Sequence, residues 1–430
     1  MNHDIHRVAV FGLGKLGAPL VAVLASKGFQ VVGVDRDPAK LALLAAGQPP
    51  VDEPGLPGLL VANMDRIEAT DDVERAVQKT QAAFIVVPTP SLPDGRYSLE
   101  AVLEVGREIG QALQSREGYY LVVLVSTVMP GDTARLCECL EQASGGPCGF
   151  DFGVCYSPEF IAIGSVIDDL QRPDFVLIGQ EHCVARAALN AIYLQLVPEG
   201  TPLAVMNYVS AEVAKLALNC YVTGKISFAN ALGMLCHDLP GADARAICDA
   251  IGLDSRIGSK YLRPGTPFGG PCFPRDGRAL RRLAGQSPVA GFSSAVDAIN
   301  RATHQFLCLL VETACGDEKG PVAVLGLAYK PGTSLAEESA GLNLALDLAQ
   351  SGYALHLYDP AAIEDAKARW PEDVPVPLWA ASLGEALAGA AVAIVMTPWP
   401  EFQRRPIIGP RTVIDPWSCV EDPFSIATDA

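Results

Sequence analysis

No run of about 18 uncharged apolar residues occurs in the 430-residue sequence, so no segment is expected to cross a bilayer as a helix. Zinc-type ligand spacing is missing too. The 12 cysteines form no CxxC pair, Cys137 and Cys139 stand one residue apart, and the six histidines (His3, His6, His182, His237, His304, His356) contain no HxxxH pair. No metal is expected. Basic residues are scarce, 32 against 49 acidic ones for a formal charge of −17, which argues against a nucleic-acid partner or an anionic membrane surface. The chain passes from Met1-Asn2-His3-Asp4 straight into Val8-Ala9-Val10-Phe11, without the charged and apolar regions of an export signal. A cytoplasmic protein with reduced, mostly buried cysteines is the expectation.

Half of the residues are apolar and 19% are charged, which excludes a disordered chain, and the length calls for two or three domains. Residues 7–11 read as a buried strand ending in Gly12-Leu13-Gly14-Lys15-Leu16-Gly17, followed by a helical run over 18–26 and a strand over 30–34 that closes on Asp35. Strand, glycine turn, helix and strand in this order predict a dinucleotide-binding unit. The first glycine permits the turn, the second admits a pyrophosphate to backbone N–H groups, and the helix start supplies partial positive charge. Asp35 is suited to adenosine ribose hydroxyls and would repel a 2′-phosphate, which favours NAD, with Arg36 beside it leaving NADP open. Strands over 83–87 and 121–126 end in Pro88-Thr89-Pro90 and Ser126-Thr127, and a strand over 154–156 leads to Ser157-Pro158-Glu159-Phe160. Ligands collect at such carboxyl ends, so Pro88, Thr89, Ser126, Thr127 and Glu159 face the cofactor edge; helix capping is the bland alternative for either threonine.

Residues 208–239 are helical in pattern, with Glu212, Lys215 and Asn219 sharing one face, and further helices are predicted over 243–250 and 277–284. A solvated stripe is the plain alternative for that face. Between the last two helices an irregular loop over 256–276 ends in Phe268-Gly269-Gly270-Pro271-Cys272-Phe273-Pro274-Arg275-Asp276. Two glycines allow close backbone approach, two prolines stiffen it, and a thiol stands four residues before a carboxylate. From Arg256 to Arg282 seven cationic residues accompany the single Asp276, so an anionic ligand is expected here. An α/β rhythm resumes with strands over 322–327, 354–358, 392–396 and 412–414 and a helix over 337–351. Its first turn, Gly326-Leu327-Ala328-Tyr329-Lys330, lacks the full glycine set, which points to a different ligand from that of the first half.

Together these stretches resemble the UDP-glucose/GDP-mannose dehydrogenase family. The matching segments are FGLGKLG (11–17), Glu53-Pro54-Gly55-Leu56, VPTP (87–90), Ser126-Thr127-Val128 with Pro130-Gly131, SPEF (157–160), 212–219, Arg256-Ile257-Gly258, FGGPCFPRD (268–276) and 326–330. The fold implied is α/β, two Rossmann-like doubly wound domains joined by a central helical domain. Residues 1–205 would bind NAD, residues 206–302 would dimerise and carry the cysteine loop, and residues 303–430 would bind the nucleotide sugar. The resemblance implies NAD-dependent four-electron oxidation of a nucleotide sugar's C6 alcohol to a carboxylate. Cys272 would carry a thiohemiacetal and then a thioester. By the same resemblance Lys215 and Asn219 stabilise the developing oxyanion, Asp276 with Thr127 holds a water, and Glu159 assists hydrolysis. Gly12, Gly14, Lys15, Leu16, Gly17, Asp35, Arg36, Pro88, Thr89, Ser126, Thr127 and Arg275 fall to the cofactor. Phe160, Ile161, Ala162, Lys215, Asn219, Phe268, Gly269, Tyr261, Arg263 and Lys330 fall to the substrate, and Arg256 enters the neighbouring subunit's site, which implies a homodimer.

Two positions depart from the family pattern. Ile163 stands where a second glutamate is usual, and Glu337 stands where an arginine follows a pair of aspartates. UDP-glucose, giving UDP-glucuronate for polysaccharide synthesis, is the leading substrate. GDP-mannose, to whose branch Tyr261-Leu262-Arg263-Pro264-Gly265 is similar, and a UDP-N-acetylhexosamine are alternatives. A two-electron hydroxyacid dehydrogenase and a catalytically impaired sugar-nucleotide binder are the rival classes.

Overall fold

The computed structural model describes residues 5–317, 320–404, 407–420 and 425–427; Met1 to Asp4, on which part of the export-signal reading falls, lie outside them. Two compact units divide between Leu216 and Ala217, a point inside the helix Tyr208–His237. Among the described residues no helix is long and apolar enough to cross a membrane.

The first unit is built on β1 (Arg7–Phe11), β2 (Gln30–Val34), β3 (Ile67–Thr70), β4 (Ala82–Ile85), β5 (Tyr120–Leu124), β6 (Phe152–Tyr156), β7 (Val176–Gly179) and β8 (Leu203–Met206). They pair in the order β3-β2-β1-β4-β5-β6-β7-β8. Through β6 the pairs are parallel; β7 meets β6 antiparallel where Tyr156 faces Gly179, and β8 runs parallel to β7. Alternate residues point to opposite faces. Val8 and Val10 join the helix Gly17–Ser26 on one side, while Ala9 and Phe11 join Ile109, Leu136 and Leu140 on the other. With both faces covered the strands read as continuous apolar runs, which is why they were legible. The order reverses between β1 and β4, so a crevice opens beyond the ends of those two strands. Because Phe11 is in register with Val34, Gly12 and Asp35 emerge side by side.

The second unit repeats the plan with a parallel sheet of β9 (Val322–Leu325), β10 (Leu355–Tyr358), β11 (Leu378–Trp379), β12 (Val392–Val395), β13 (Thr412–Asp415) and β14 (Ser425–Ala427), in the order β11-β10-β9-β12-β13-β14. Val322 and Val324 pack with Leu307, Val311, Leu342 and Leu348, and Ala323 and Leu325 pack with Leu383, Ala386 and Phe402 on the opposite face. Ahead of the sheet come the helices Ala244–Gly252, Phe273–Ala284 and Pro288–Cys315. Phe273–Ala284 begins four residues earlier than the sequence suggested. Pro274 reads as a breaker, yet proline is at home in a helix's first turn, where its missing N–H has no partner to lose. Cys272 thereby becomes the residue capping a helix, with Arg275 and Asp276 in its first turn. Pro288–Cys315, 28 residues long, was not read from the sequence at all, its start being masked by Pro288, Gly291, Ser293 and Ser294.

Candidate active site

In the first unit Gly12 has φ +99°, and a Cβ there would lie 2.5 Å from the Val86 carbonyl oxygen; one on Gly17 would lie 1.8 Å from that of Gly12. No side chain fits at either point. At Gly14, by contrast, nothing lies within 4 Å of the Cβ position, so backbone faces open space. Leu16 supplies no side-chain cap to the helix Gly17–Ser26, and its first turn holds no acidic residue. An open cradle at an uncapped helix start suits a pyrophosphate. The exposed Lys15 stands at the same turn.

The Asp35 carboxylate accepts N–H groups from Leu13 (2.7 Å) and Asp37 (3.0 Å) and pairs with Lys40 at 3.4 Å. Burial alone would raise this carboxyl, but those two N–H groups and the ammonium outweigh it and hold it below its usual range. Arg36, the residue that left NADP open, reaches away to Glu104 (2.7 Å) and Glu108 (2.9 Å). What remains beside the glycine turn is a carboxylate, a group chemically suited to accept from ribose hydroxyls and to repel a 2′-phosphate. Asp35→Ala is expected to lower the NAD-to-NADP ratio of kcat/KM by about tenfold to a hundredfold, the worth of a charge-assisted hydrogen bond. A ratio unchanged from the wild type in parallel kinetics with the two cofactors would remove Asp35 from ribose recognition.

Across the crevice, Thr89 Oγ1 donates to the Thr127 carbonyl (2.8 Å) and Ser126 Oγ to that of Val87 (2.7 Å). These bonds lock the ends of β4 and β5 together beneath the exposed Pro88. Beyond β6, Glu159 is met by the Tyr193 hydroxyl at 3.3 Å, which also lies 2.7 Å from Ser157 Oγ. Burial, opposed only in part by Tyr193 and Lys215, pushes the Glu159 carboxyl up to about 7. Lys215 Nζ donates to the Glu159 carbonyl at 2.7 Å and lies 4.5 Å from the centre of the Phe160 ring. The following residues are fastened by carboxylates: Glu53 accepts from the N–H groups of Gly164 (2.9 Å) and Val166 (2.7 Å), and Asp169 from that of Ala162 (2.8 Å). Ile161 and Ile163 are therefore carried on a pinned segment. Glu212, which shares a face with Lys215, is buried and accepts from Gly131 N, Thr133 N and Thr133 Oγ1 at 2.7, 2.8 and 2.6 Å. It caps the helix Asp132–Ser144 from outside. Glu53 and Glu212 fall in family-like stretches, but the supporting contacts they and Tyr193 make were not legible in the sequence, because each acts across a long chain separation.

In the second unit Asn219, one turn beyond Lys215 on its helix, donates to the buried Asp276 carboxylate at 2.6 Å. Arg275 Nε lies 3.5 Å from the other oxygen of Asp276. Cys272 is exposed at the start of the helix Phe273–Ala284, the end that favours negative charge. Its approach is tightly fixed. Asn300 both donates to and accepts from the Phe268 backbone (3.0 and 2.9 Å), a Cβ on Gly269 would meet the Glu338 carbonyl oxygen at 2.1 Å, and one on Gly270 would meet the Tyr329 ring at 2.4 Å. Tyr261, with φ 62°, sets its ring edge-on to Phe273. Asn230 holds the next segment, accepting from Gly265 N and donating to the Thr266 carbonyl (2.9 and 3.1 Å). Several cations of the 256–282 window already have acidic partners: Arg256 pairs with Asp254, Arg278 with Glu338 and Arg281 with Asp297. Arg263 is exposed and Lys330 is half-buried.

The second sheet's first turn is a variant of the first. A Cβ on Gly341 would lie 2.0 Å from the Gly326 carbonyl oxygen, the same close packing as Gly17 on Gly12, but with a long insertion between the two glycines. Asp359, after β10, takes the place of Asp35. It is saturated by Leu327 N, Ala328 N, Ala361 N, Ala362 N and Trp399 Nε1, all within 3.0 Å, which leaves it no capacity for a ribose. Glu337, at the departure from the family pattern, comes within 4.0 Å of Arg369.

Family models match the chain in sequence order: the NAD binding domain of the UDP-glucose/GDP-mannose dehydrogenase family at residues 6–197, its central domain at 209–302 and its UDP binding domain at 323–422. The chain belongs to this family. As a UDP-glucose/GDP-mannose dehydrogenase family member it is an NAD-dependent nucleotide-sugar dehydrogenase, and the crevice at Gly12 to Gly17 lies in its NAD binding domain. It is similar to the UDP-glucose 6-dehydrogenase of Haloferax volcanii, with 37% identity over 402 residues and 92% of each chain covered. Similarity extends to the GDP-mannose 6-dehydrogenase of Pseudomonas putida, at 34% identity over 82% of this chain and 80% of the other. A UDP-glucose dehydrogenase structure from Pyrobaculum islandicum superposes with a TM-score of 0.90 at 32% identity, covering 99% of this chain and 97% of that one. The two-domain Rossmann plan with a helical centre expected from the sequence is the fold of this family.

Proposed function

We propose that the protein oxidises the C6 alcohol of UDP-glucose to the carboxylate of UDP-glucuronate. The observation that carries this is Cys272: an exposed thiol at a helix start, on a segment fixed on both sides, one turn before the buried Asp276. Bound NAD accepts a hydride in each of the two oxidations. Between them the Cys272 sulfur adds to the C6 aldehyde and forms a C–S bond; loss of the second hydride leaves a thioester, and water breaks that bond, returning the thiol and releasing the carboxylate. One sugar, two NAD and one water give one carboxylate, two NADH and three protons.

Lys215 and Asn219, a cation and an amide one turn apart, stabilise negative charge on the C6 oxygen as it develops. Asp276, held by Asn219, and Thr127 orient a water for proton transfer. With Ile163 in place of a second glutamate, thioester hydrolysis rests on Glu159 as base. Phe160, Ile161 and Ala162 line the sugar, while Tyr261, Arg263, Phe268, Gly269 and Lys330 hold the nucleotide. The relative at 37% identity is a UDP-glucose enzyme and supports that sugar. Tyr261 to Gly265 keep GDP-mannose as the second candidate. Comparing kcat/KM on UDP-glucose, GDP-mannose and UDP-ManNAc decides; a preference for either of the latter overturns the assignment.

Because Glu159 must be ionised to act as a base, turnover should rise as pH passes about 7. The same shift has an opposite effect on stability. Between the ordinary value of 4.5 and about 7 the folded chain holds a proton on Glu159 that the unfolded chain has lost, so this group's contribution to stability falls as pH rises through that window. Glu159→Gln should flatten the activity limb, as a pH–rate profile would show; an unchanged limb assigns it to another group.

A homodimer and a cytoplasmic location complete the proposal. Tyr221, Phe228 and Leu235 recur every seven residues on the long helix and are 64%, 52% and 53% exposed, an apolar stripe suited to a second copy. Arg256 is exposed, as a residue reaching a neighbour must be.

A further inference from the structure

Away from the residues above, the second unit gathers an imidazole, a thiol and a carboxylate. His304 and Cys308 stand one turn apart on the helix Pro288–Cys315, and Asp347 faces them from the helix Ala340–Gln350. His304 Nε2 lies 2.7 Å from Asp347 Oδ2 and 3.8 Å from Cys308 Sγ, and the three atoms all fall within 4.8 Å of one another. Thiol and carboxylate converge on the same ring nitrogen. A nucleophilic triad needs them on opposite nitrogens, so that role is excluded. A tetrahedral zinc ion holds N, O and S ligand atoms about 3.3–3.6 Å apart, which the cluster reaches with small adjustments at the exposed Asp347. Glu312 stands four residues after Cys308, one turn further along the same helix.

We propose that His304, Cys308 and Asp347 form a binding site for a divalent transition metal of the zinc type, with Glu312 or a water as the fourth ligand. Imidazole with thiolate selects zinc or cobalt over magnesium or calcium. The metal–sulfur bond forms as the thiol proton leaves to solvent, and the ring proton moves to Nδ1 so that Nε2 can coordinate. The metal clasps two helices that hold the Cys272 segment. Asn300, one turn before His304, grips Phe268, and Ser339, which caps the helix Ala340–Gln350, follows the Glu338 carbonyl packed against Gly269. A search for HxxxH spacing passes over this set, because the paired spacing is HxxxC and the third ligand is distant in the chain. The site is independent of the substrate assignment.

Titrating the metal-free full-length protein with Co²⁺, and following the sulfur-to-cobalt charge-transfer band, tests it. One equivalent is expected to produce the band in the wild type and in Cys272→Ser, and none in Cys308→Ser. His304→Ala and the surface change Asp347→Asn should each weaken binding by about tenfold or more. Absence of the band from the wild type, its survival in Cys308→Ser, its loss in Cys272→Ser, or unchanged affinity in both His304→Ala and Asp347→Asn would each overturn the proposal.

Discussion

Cys272→Ala should lower carboxylate formation by about a thousandfold or more, while NAD and nucleotide-sugar binding persist. On the proposed route the thiol is bonded to C6 from the aldehyde onward, so no other group in the segment substitutes for it. Alanine keeps the helix start intact, since Cys272 contributes no side-chain cap there. The segment's supports, Asn300 on Phe268 and the close packing at Gly269 and Gly270, are likewise untouched. Loss of turnover with retained binding is then attributable to the sulfur. Product analysis by mass, alongside calorimetric binding of UDP-glucose, makes the comparison. Carboxylate production at the wild-type rate would rule out the thioester.

The second large effect belongs to Lys215. Lys215→Ala removes a cation from the helix face it shares with Asn219 and also releases the Glu159 carbonyl, to which Nζ donates at 2.7 Å. Losing one such donor to a developing oxyanion lowers kcat by about a hundredfold to a thousandfold. The 4.5 Å contact with the Phe160 ring is lost as well, so on the proposed assignment of Phe160 to the sugar KM should rise modestly. Lys215→Arg is expected to recover little, because a planar guanidinium cannot reproduce a compact ammonium in the buried corner where Lys215 sits. Steady-state kinetics separate the two parts. A fall in kcat/KM carried by KM alone would make Lys215 a binding residue.

The first sheet was legible because its strands are apolar on both faces and its turn is punctuated by glycines whose spacing follows from close packing. Gly12, Gly17 and Asp35 act within one strand–helix–strand unit, so local sequence contains their geometry. FGGPCFPRD stood out for the same reason, although Pro274 was misread as part of a loop rather than a helix start. What escaped was long-range support. Tyr193 reaches Glu159 over 34 residues, Glu212 caps a helix 79 residues earlier, and Glu53 pins a segment 111 residues away. Glu53 and Glu212 fall in stretches that resemble the family, but nothing near them or near Tyr193 in the chain says which distant group each one holds. Carboxylate partners had the same effect on the basic window. Its charge excess is visible in sequence, whereas Asp254, Asp297 and Glu338, which neutralise part of it, lie outside the window.

The most direct test of the proposed chemistry is NADH formed per molecule of sugar consumed, measured with the wild-type protein at limiting UDP-glucose. Two NADH and one UDP-glucuronate are expected, since an alcohol becomes a carboxylate with no other oxidant. A single NADH with an aldehyde product, or none with UDP-glucose while another nucleotide sugar is turned over, would contradict the account.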